Sequence, residues 1–333
     1  MTCNRDMLSQ RTLSLEVRDF KPADYERLVE VFNSNFPDYT RSVVETRSRD
    51  ESIDKTKYHL KRYSFVDKNT GSIVAFGEVS HITDMYHPKK FTLNIYVEPT
   101  WHRLGVGREV YRKLTDHLKE LDAITAWVQV KEDLPQQIGF FERRGFKETM
   151  RVWESRLPVS SVKSAQFKEY LGRVASRGIT ISTLAEERSI DPDSTKKLHE
   201  IVQVIAEDIP QPALYTRVSY DQWEAFELKN PGLLPDAYFI ARDGDRYVGL
   251  SVVWKSDTEP KSLYQGNTGV IRDYRGKGVA VALKLRVIEY ARRHGYEKVK
   301  TWNASNNAAM LAVNTKLGFK RQVGWIVLEK DLA

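Results

Sequence analysis

Three pairs of glycine residues lie at the same separation along the chain, 173 residues. The pairs, each within a similar stretch of sequence, are Gly71 and Gly244, Gly105 and Gly278, and Gly145 and Gly318. Chance is a poor explanation for three independent landmarks with one offset, and an internal repeat constrains a fold more strongly than a single motif does. With 333 residues, the chain has room for two domains of ordinary size. The sequence therefore predicts two copies of one domain.

Each copy has the same order of predicted elements. A helical stretch is followed by a hairpin around a polar turn, "KNTG" in the first copy and "RDGD" in the second. A further strand, a glycine turn, an amphipathic helix, another strand and a short helix ending at Gly-Phe come next. This order predicts an α/β (α+β) protein with domains at residues 1–160 and 179–333, joined by a linker helix at 161–178.

Composition and charge narrow the class of protein. The formal net charge is +7, but acidic and basic residues are interleaved, which favours a solvated surface over a nucleic-acid site and still suits a polyanionic cofactor. The chain has no apolar run of 18 residues and no signal-like start, so neither a membrane partner nor export is expected, and the cytoplasm is the expected location. Its one cysteine, Cys3, excludes an intramolecular disulfide, and no histidine spacing indicates a metal site.

The glycine turn has a definite chemical meaning. It occurs as "WHRLGVGREVYRKL" in the first copy and as "YRGKGVAVALKL" in the second, in each case between a strand and a helix. The first amides of such a helix are unpaired and lie at the positive end of the helix dipole. Together they form an anion site. Neither copy has the P-loop pattern, and Val110 and Val281 replace the third glycine of a dinucleotide fingerprint. The turn therefore predicts a site for a diphosphate.

"RGKGVA", from Arg275 to Ala280, matches the R/Q-x-x-G-x-G/A signature of the GNAT acetyltransferases, and "NAAMLAVNTKLGF" resembles their following motif. The chain is similar to tandem-domain GNAT enzymes, of which mycothiol synthase is an example. The resemblance implies two tandem GNAT folds, each a mixed, mostly antiparallel sheet flanked by helices, with splayed central strands that bind acetyl-CoA. The residues that it implies for cofactor binding are Val270, Arg275, Gly276, Gly278, Val279, Ala280 and Asn307 in the second copy, and Val97, His102, Arg103, Gly105, Val106 and Gly107 in the first.

The first copy departs from the family pattern. His102 replaces the usual Arg or Gln, Leu134 stands where the second copy has Asn307, and Phe141 stands where many members carry a proton-donating tyrosine. The second copy has Asn314 at that position. An amide can hydrogen-bond a thiolate or a carbonyl, and a thiolate can leave without an obligatory acid. We therefore expect catalysis in the C-terminal copy and a degenerate N-terminal copy.

The catalytic candidates are Asn314, Thr268 and Asp236, the last two because they flank the expected cleft. Glu78 on the first hairpin is also expected to point into a cleft, although its counterpart is Ser251. With no plausible cysteine nucleophile, direct attack of an amine on the thioester is expected.

The resemblance implies an acetyl-CoA-dependent N-acetyltransferase that acts on a primary amine of a small molecule. Two alternatives stay open: a CoA-binding sensor or scaffold without turnover, and a protein lysine or N-terminal acetyltransferase. The oligomeric state expected is a monomer or a homodimer.

Overall fold

A computed structural model of the chain describes residues 13–333, apart from the side chain of Ser164; Cys3 lies outside the described residues. The helices and strands of the first half are β1 (Leu15–Asp19), α1 (Tyr25–Asn35), α2 (Val43–Glu51), β2 (Leu60–Asp67), β3 (Ile73–Ser80), β4 (Lys90–Val97), α3 (Val106–Glu120), β5 (Thr125–Lys131), α4 (Pro135–Glu142) and β6 (Lys147–Pro158). Short 3₁₀ turns connect several of them.

The second half repeats this order with additions to the described residues of the first: a helix before its first strand, three helices instead of two before its second strand, and a short strand before its last. Its elements are α5 (Lys168–Ala175), β7 (Ile179–Thr183), α6 (Leu184–Ile190), α7 (Ser194–Ala206), α8 (Tyr220–Trp223), β8 (Leu233–Asp243), β9 (Arg246–Lys255), β10 (Ser262–Val270), α9 (Val279–Arg293), β11 (Lys298–Ala304), α10 (Ala308–Leu317), β12 (Lys320–Arg321) and β13 (Trp325–Asp331). Helix α5 lies within the stretch for which the sequence predicts a linker helix. None of the helices in residues 13–333 has the length and apolar character needed to cross a membrane.

The strands of both halves form one continuous sheet. Their order is β1-β2-β3-β4-β5-β13-β6-β11-β10-β9-β8-β7, and β12 adds to β6. The pairs β4–β5 and β10–β11 are parallel, and the other pairs are antiparallel. This confirms the predicted mixed, mostly antiparallel sheet with flanking helices.

The hairpin turns explain one of the repeated glycine pairs. Gly71, between β2 and β3, has a φ of 71°, and Gly244, between β8 and β9, has a φ of 56°. Residues with a Cβ atom rarely adopt this left-handed region, so both turns favour glycine. The repeat in sequence is here a repeat in backbone conformation.

The last strand of each half pairs with a strand of the other half. Strand β13 lies antiparallel to β5, with Asp331 opposite Thr125, and β6 lies antiparallel to β11, with Pro158 opposite Lys298. Thr125 and Lys298 lie at equivalent positions of the two copies, and so do Pro158 and Asp331, because the residues of each such pair are 173 positions apart (298 − 125 = 173; 331 − 158 = 173). The two halves therefore exchange their final strands around a pseudo-twofold axis.

This exchange connects the two hydrophobic cores. Ile326 and Leu328 of β13 are buried in the core of the first half. Leu157 of β6, with Val159 just after it, is buried in the core of the second half. Each core is thus completed by side chains from the other half of the sequence.

The two parallel pairs leave the openings that position the site. Strand β4 pairs with β5 only from Lys90 to Thr92, and β10 pairs with β11 only from Ser262 to Tyr264. Beyond these residues the strands diverge, and their ends open beside the two glycine turns.

Candidate active site

The glycine turns of the two halves have the same backbone geometry. Gly105 has a φ of 92° and Gly278 a φ of 88°, and each is the N-cap of the following helix, α3 or α9. Neither cap has a side chain to bind the free amides of the first helical turn, which therefore remain available to an anion. Arg103, with a φ of 64°, adopts the conformation that Gly276 adopts at 73°.

A side chain at the entrance braces each turn. The imidazole Nε2 of His102 lies 2.9 Å from the carbonyl oxygen of Val97 at the end of β4. In the second half, the guanidinium Nε of Arg275 donates to the carbonyl oxygen of Val270, also at 2.9 Å. His102 therefore replaces the structural hydrogen bond of the arginine, although not its permanent charge.

The turn of the first half opens into a cavity of about 740 Å³. The end of β4, the glycine turn and helix α4 form its walls. The predicted residues that line it are Val97, His102, Arg103, Gly105 and Gly107. Residues that sequence reasoning missed also line it, namely Asn35, Ile95, Trp101, Arg108, Pro135, Gln136, Gln137, Phe140, Arg143 and Arg144.

The charge of this cavity is strongly positive. Arg103, Arg108, Arg143 and Arg144 line it, and none of the four guanidinium groups has an acidic partner within 4.0 Å among residues 13–333. Two of them are held by neutral groups instead: Arg103 donates to Oε1 of Gln136 at 3.0 Å, and Arg144 donates to the carbonyl of Phe140 at 2.7 Å. Four uncompensated guanidinium groups beside free helix amides suit a ligand with several phosphates.

Helix α5 packs over the glycine turn of the second half. A Cβ atom placed on Gly278 would lie 3.3 Å from Cδ1 of Tyr170 and 3.8 Å from Cγ2 of Val174. The hydroxyl of Tyr170 accepts a hydrogen bond from Nζ of Lys316 on α10, at 2.8 Å. Tyr170 thus links α5 to α10 beside the second turn, whereas a Cβ atom placed on Gly105 would have only Cδ2 of Leu13 within 4 Å among residues 13–333, at 3.7 Å.

An acidic side chain neutralises two arginines beside the glycine turn of the second half. Asp208, just after α7, forms ion pairs with both Arg272 and Arg275. The hydrogen bonds from Arg272 and Arg275 lower the pKa of Asp208 to about 2, so its carboxylate stays charged. Arg275 is therefore already paired with an anion from its own chain.

Comparison with known families agrees with these paired turns. Residues 25–146 and 198–319 both match the model of the acetyltransferase (GNAT) family. The matches cover more than half of the chain and are offset by the distance of the internal repeat (198 − 25 = 173). The chain belongs to the GNAT family. Its two GNAT copies and its sheet confirm the tandem arrangement predicted from the sequence.

Among curated proteins, the chain is similar to two N-acetyltransferases. It is 28% identical over 104 residues to an uncharacterized N-acetyltransferase of Methanocaldococcus jannaschii, which covers 29% of the chain and 46% of that protein. It is 30% identical over 89 residues to the ribosomal protein bS18-alanine N-acetyltransferase of Escherichia coli K12, covering 26% of the chain and 57% of that enzyme. The chain spans about half the length of these relatives.

Two solved structures share the fold over nearly the full chain. One is a tandem GNAT protein from the clavulanic acid biosynthesis pathway, with a TM-score of 0.70, 18% identity and coverage of 96% of this chain and 99% of that one. The other is a GCN5-related N-acetyltransferase from Sphaerobacter thermophilus, with a TM-score of 0.69, 16% identity and coverage of 96% and 97%.

The three catalytic candidates do not meet at one point. Thr268 is half-buried on β10, and its hydroxyl lies 2.8 Å from that of Ser251. Asn314 is buried on α10, where its amide nitrogen donates to Oδ1 of Asn303 at 2.7 Å. Asp236 is exposed on β8 and has its electrostatic contact with Tyr290, near the far end of α9 from the glycine turn.

The remaining residues predicted to bind the cofactor have different structural roles. Val106 and Val279 are fully buried under their helices, so that only their backbone amides face the turn. Asn307 caps α10 by accepting the amide hydrogen of Met310 at 3.2 Å, and Ala280 is half-buried against the core.

The arginines that sequence reasoning missed could have been found by comparing the two copies position by position. At the offset of 173, Arg108 corresponds to Val281, Arg143 to Lys316 and Arg144 to Leu317. At these three positions the first copy carries three positive charges and the second copy carries one, that of Lys316. Within residues 13–333, no group of three or more histidine, cysteine, aspartate or glutamate residues is arranged to hold a metal ion.

Proposed function

We propose that the protein is an acetyl-CoA-dependent N-acetyltransferase that binds acetyl-CoA in its N-terminal half. The observation that carries this proposal is the open cavity beside Gly105, lined by four arginines without acidic partners. The residues there fit the group: free helix amides and guanidiniums for the phosphates, and a diverging strand end for the pantetheine arm.

This assignment reverses the one that the sequence favours. The signature "RGKGVA" of the second half is closer to the family pattern, but Tyr170 occupies its channel and Asp208 binds its arginine. We infer that the second half braces the first through the exchanged strands, and that Thr268 and Asn314 have structural roles there.

Acetyl-CoA, when bound, supplies an activated acetyl group for transfer to an amine. The chain's own residues would then act by binding and positioning. The amides of the first turn of α3 and the guanidiniums around them would hold the phosphates, while His102 and Asn35 keep the end of β4 in place through the carbonyl of Val97, each at 2.9 Å.

The test is a titration of acetyl-CoA by calorimetry into wild type and two matched pairs of variants. Gly107→Glu and Ala280→Glu place a carboxylate at the same position of the two turns, and neither needs a positive φ. Arg143→Glu and Lys316→Glu reverse a charge at equivalent, exposed positions, so folding is preserved. We expect one site in wild type, weakened at least about tenfold by Gly107→Glu and Arg143→Glu, each of which puts a carboxylate beside the phosphates, and unaffected by the other two variants.

Three other outcomes would contradict the proposal in different ways. A site lost only with Ala280→Glu and Lys316→Glu would return the cofactor to the C-terminal half. Two sites would mean that α5 does not exclude acetyl-CoA. The absence of binding would overturn both the enzyme and the CoA-binding sensor.

The sensor remains the second candidate because Phe141 lines the cavity in place of a tyrosine and cannot donate a proton. Thiol release with a library of amines separates it from the enzyme, because a sensor binds acetyl-CoA without turnover. Small amines, lysine peptides and peptides with a free N-terminus belong in that library. The bS18-alanine N-acetyltransferase among the relatives is a reason to include the last class.

A further inference from the structure

Strand β4 separates the acetyl-CoA cavity from a second polar face. Successive side chains of a strand point to opposite sides of a sheet. Ile95 and Val97 line the cavity. On the other side of β4, Asn94 donates to Glu78 of β3 at 3.0 Å, and the ring of Tyr96 packs against Phe32 of α1 with centroids 5.3 Å apart. A molecule on this face would lie directly across β4 from the pantetheine channel.

Two arginines on this face form no ion pair within residues 13–333, although both interact electrostatically with Glu78. The guanidinium carbon of Arg41 lies 3.2 Å above the ring of Phe32, and the residue is only partly accessible. Burial lowers the pKa of Arg41. Arg49, on α2, lies at an exposed position on the rim of a cavity of about 270 Å³. Within residues 13–333, neither guanidinium has a hydrogen bond to a neighbour or an acidic group within 4.0 Å.

The nearby carboxylates are already engaged. Arg62 binds Asp50 at 2.7 Å and also binds Glu78. Burial alone would raise the pKa of Glu78, but the charges of Arg62 and Arg49 and the hydrogen bonds from Arg62 and Asn94 hold the pKa below its usual value, so Glu78 stays ionised. Glu45, one turn before Arg49, accepts the backbone amides of Ser42 at 2.7 Å and Asp257 at 3.0 Å. A partly buried guanidinium without a partner is costly, which points to a ligand that supplies the missing anion.

We propose that the acceptor amine carries a carboxylate, and that Arg41 and Arg49 bind it. This inference rests on the proposed function, because it places the acceptor across β4 from acetyl-CoA. A guanidinium binds a carboxylate through two parallel hydrogen bonds, and stacking on Phe32 holds the plane of Arg41 in position for them. The ionised Glu78 repels a second negative charge, so a carboxylate fits better than a phosphate dianion, and the same glutamate attracts the ammonium group of the acceptor.

Tyr96 is the residue placed to meet the amine end of such an acceptor. It stands between Ile95 and Val97, and its hydroxyl has no hydrogen-bond partner within residues 13–333. Burial raises the pKa of Tyr96, so the hydroxyl keeps its proton and can donate a hydrogen bond. We assign it a positioning role.

The test compares acids with their amides. Wild type would be assayed for thiol release from acetyl-CoA with the twenty L-amino acids and glycyl peptides, each beside its carboxamide. We expect at least about a tenfold preference in kcat/KM for the best acid over its amide, which is the size of a lost charged hydrogen bond. Arg41→Met and Arg49→Met should raise KM for the acid about tenfold or more and leave the amide unchanged, with Arg41→Lys in between.

Arg47→Met is the matched control. Arg47 lies on α2, as Arg49 does, is exposed, and has its guanidinium 5.1 Å from the ring of Tyr25. It should change neither substrate. Thermal melting of each variant shows that it is folded, and the exposed Arg49 keeps the test possible if Arg41→Met does not fold.

The outcomes separate this inference from the proposed function. Turnover with equal rates for acids and amides, or an equal loss for both in Arg41→Met, overturns the carboxylate site and leaves the transferase intact. If no amine leads to thiol release from acetyl-CoA, the carboxylate site is tested by calorimetry, in which the same acids are titrated into the protein in the presence of CoA. Binding that Arg41→Met abolishes supports the carboxylate site while the transferase fails, and no binding of any acid overturns the site.

Discussion

Lys284 on α9 is almost completely buried, at 1% exposure; its Nζ donates to the amide oxygen of Gln265, 3.4 Å away, and lies 4.9 Å from the centroid of the Phe319 ring. Burial lowers the pKa of Lys284 to about 7. Between pH 7 and the pKa of an unfolded lysine near 10.4, the unfolded chain binds a proton that the folded chain does not, so stability rises with pH. We expect urea unfolding to show a gain of roughly 2 kcal/mol from pH 7 to pH 9. Lys284→Met should be more stable than wild type at pH 7 and should lack this gain. Lys196→Met, a control at an exposed position, should keep the gain. If the free energy of unfolding of Lys284→Met rose with pH as steeply as that of wild type, the assignment to Lys284 would be wrong.

Helix α5 has no counterpart among the described residues of the first copy, and it packs over the second glycine turn through Tyr170 and the buried Val174. Val174→Ala removes two buried methyl groups and should cost about 1–3 kcal/mol of local stability. Trypsin should then cleave faster at the exposed Arg173 and Arg177, as followed by mass spectrometry. The stoichiometry of acetyl-CoA should stay at one even in Tyr170→Ala/Val174→Ala, because the second channel lacks the arginines of the first. A second binding site in that double variant would show that α5 alone keeps the channel empty.

At the scale of the whole molecule, the exchanged strands make the two halves dependent on each other. A fragment of residues 1–163 lacks β13, which leaves β5 with an open edge and removes Ile326 and Leu328 from its core. A fragment of residues 164–333 lacks β6 and Leu157. We expect each fragment alone to be insoluble or unfolded by circular dichroism, and the two expressed together to assemble into a complex. A fragment that is soluble and folds cooperatively on its own would show that the exchange is dispensable.

Much of the fold follows from local sequence. The glycine pairs at an offset of 173 mark turns that need a positive φ, as at Gly71 and Gly244, and the alternating apolar residues around them define the strands. The anion-binding turn at Gly105 and Gly278 is equally local, because the strand, the glycines and the helix are contiguous. Such features depend on backbone sterics and nearest neighbours, and a sequence records both directly.

The exchange of β6 and β13 depends on whether each strand pairs within its own half or with the other half. Both pairings preserve the alternation of apolar and polar residues along the strand, so the sequence does not record the exchange. Arg41 and Phe32 meet through the fold of α1 and its following loop, with no signal in their spacing. The sequence by itself determined two copies of a GNAT domain with paired anion-binding turns, because those features are local and repeated. Only the tertiary structure decided what surrounds each turn, because α5, Asp208, Arg143 and Arg144 reach the turns from positions far away in the chain.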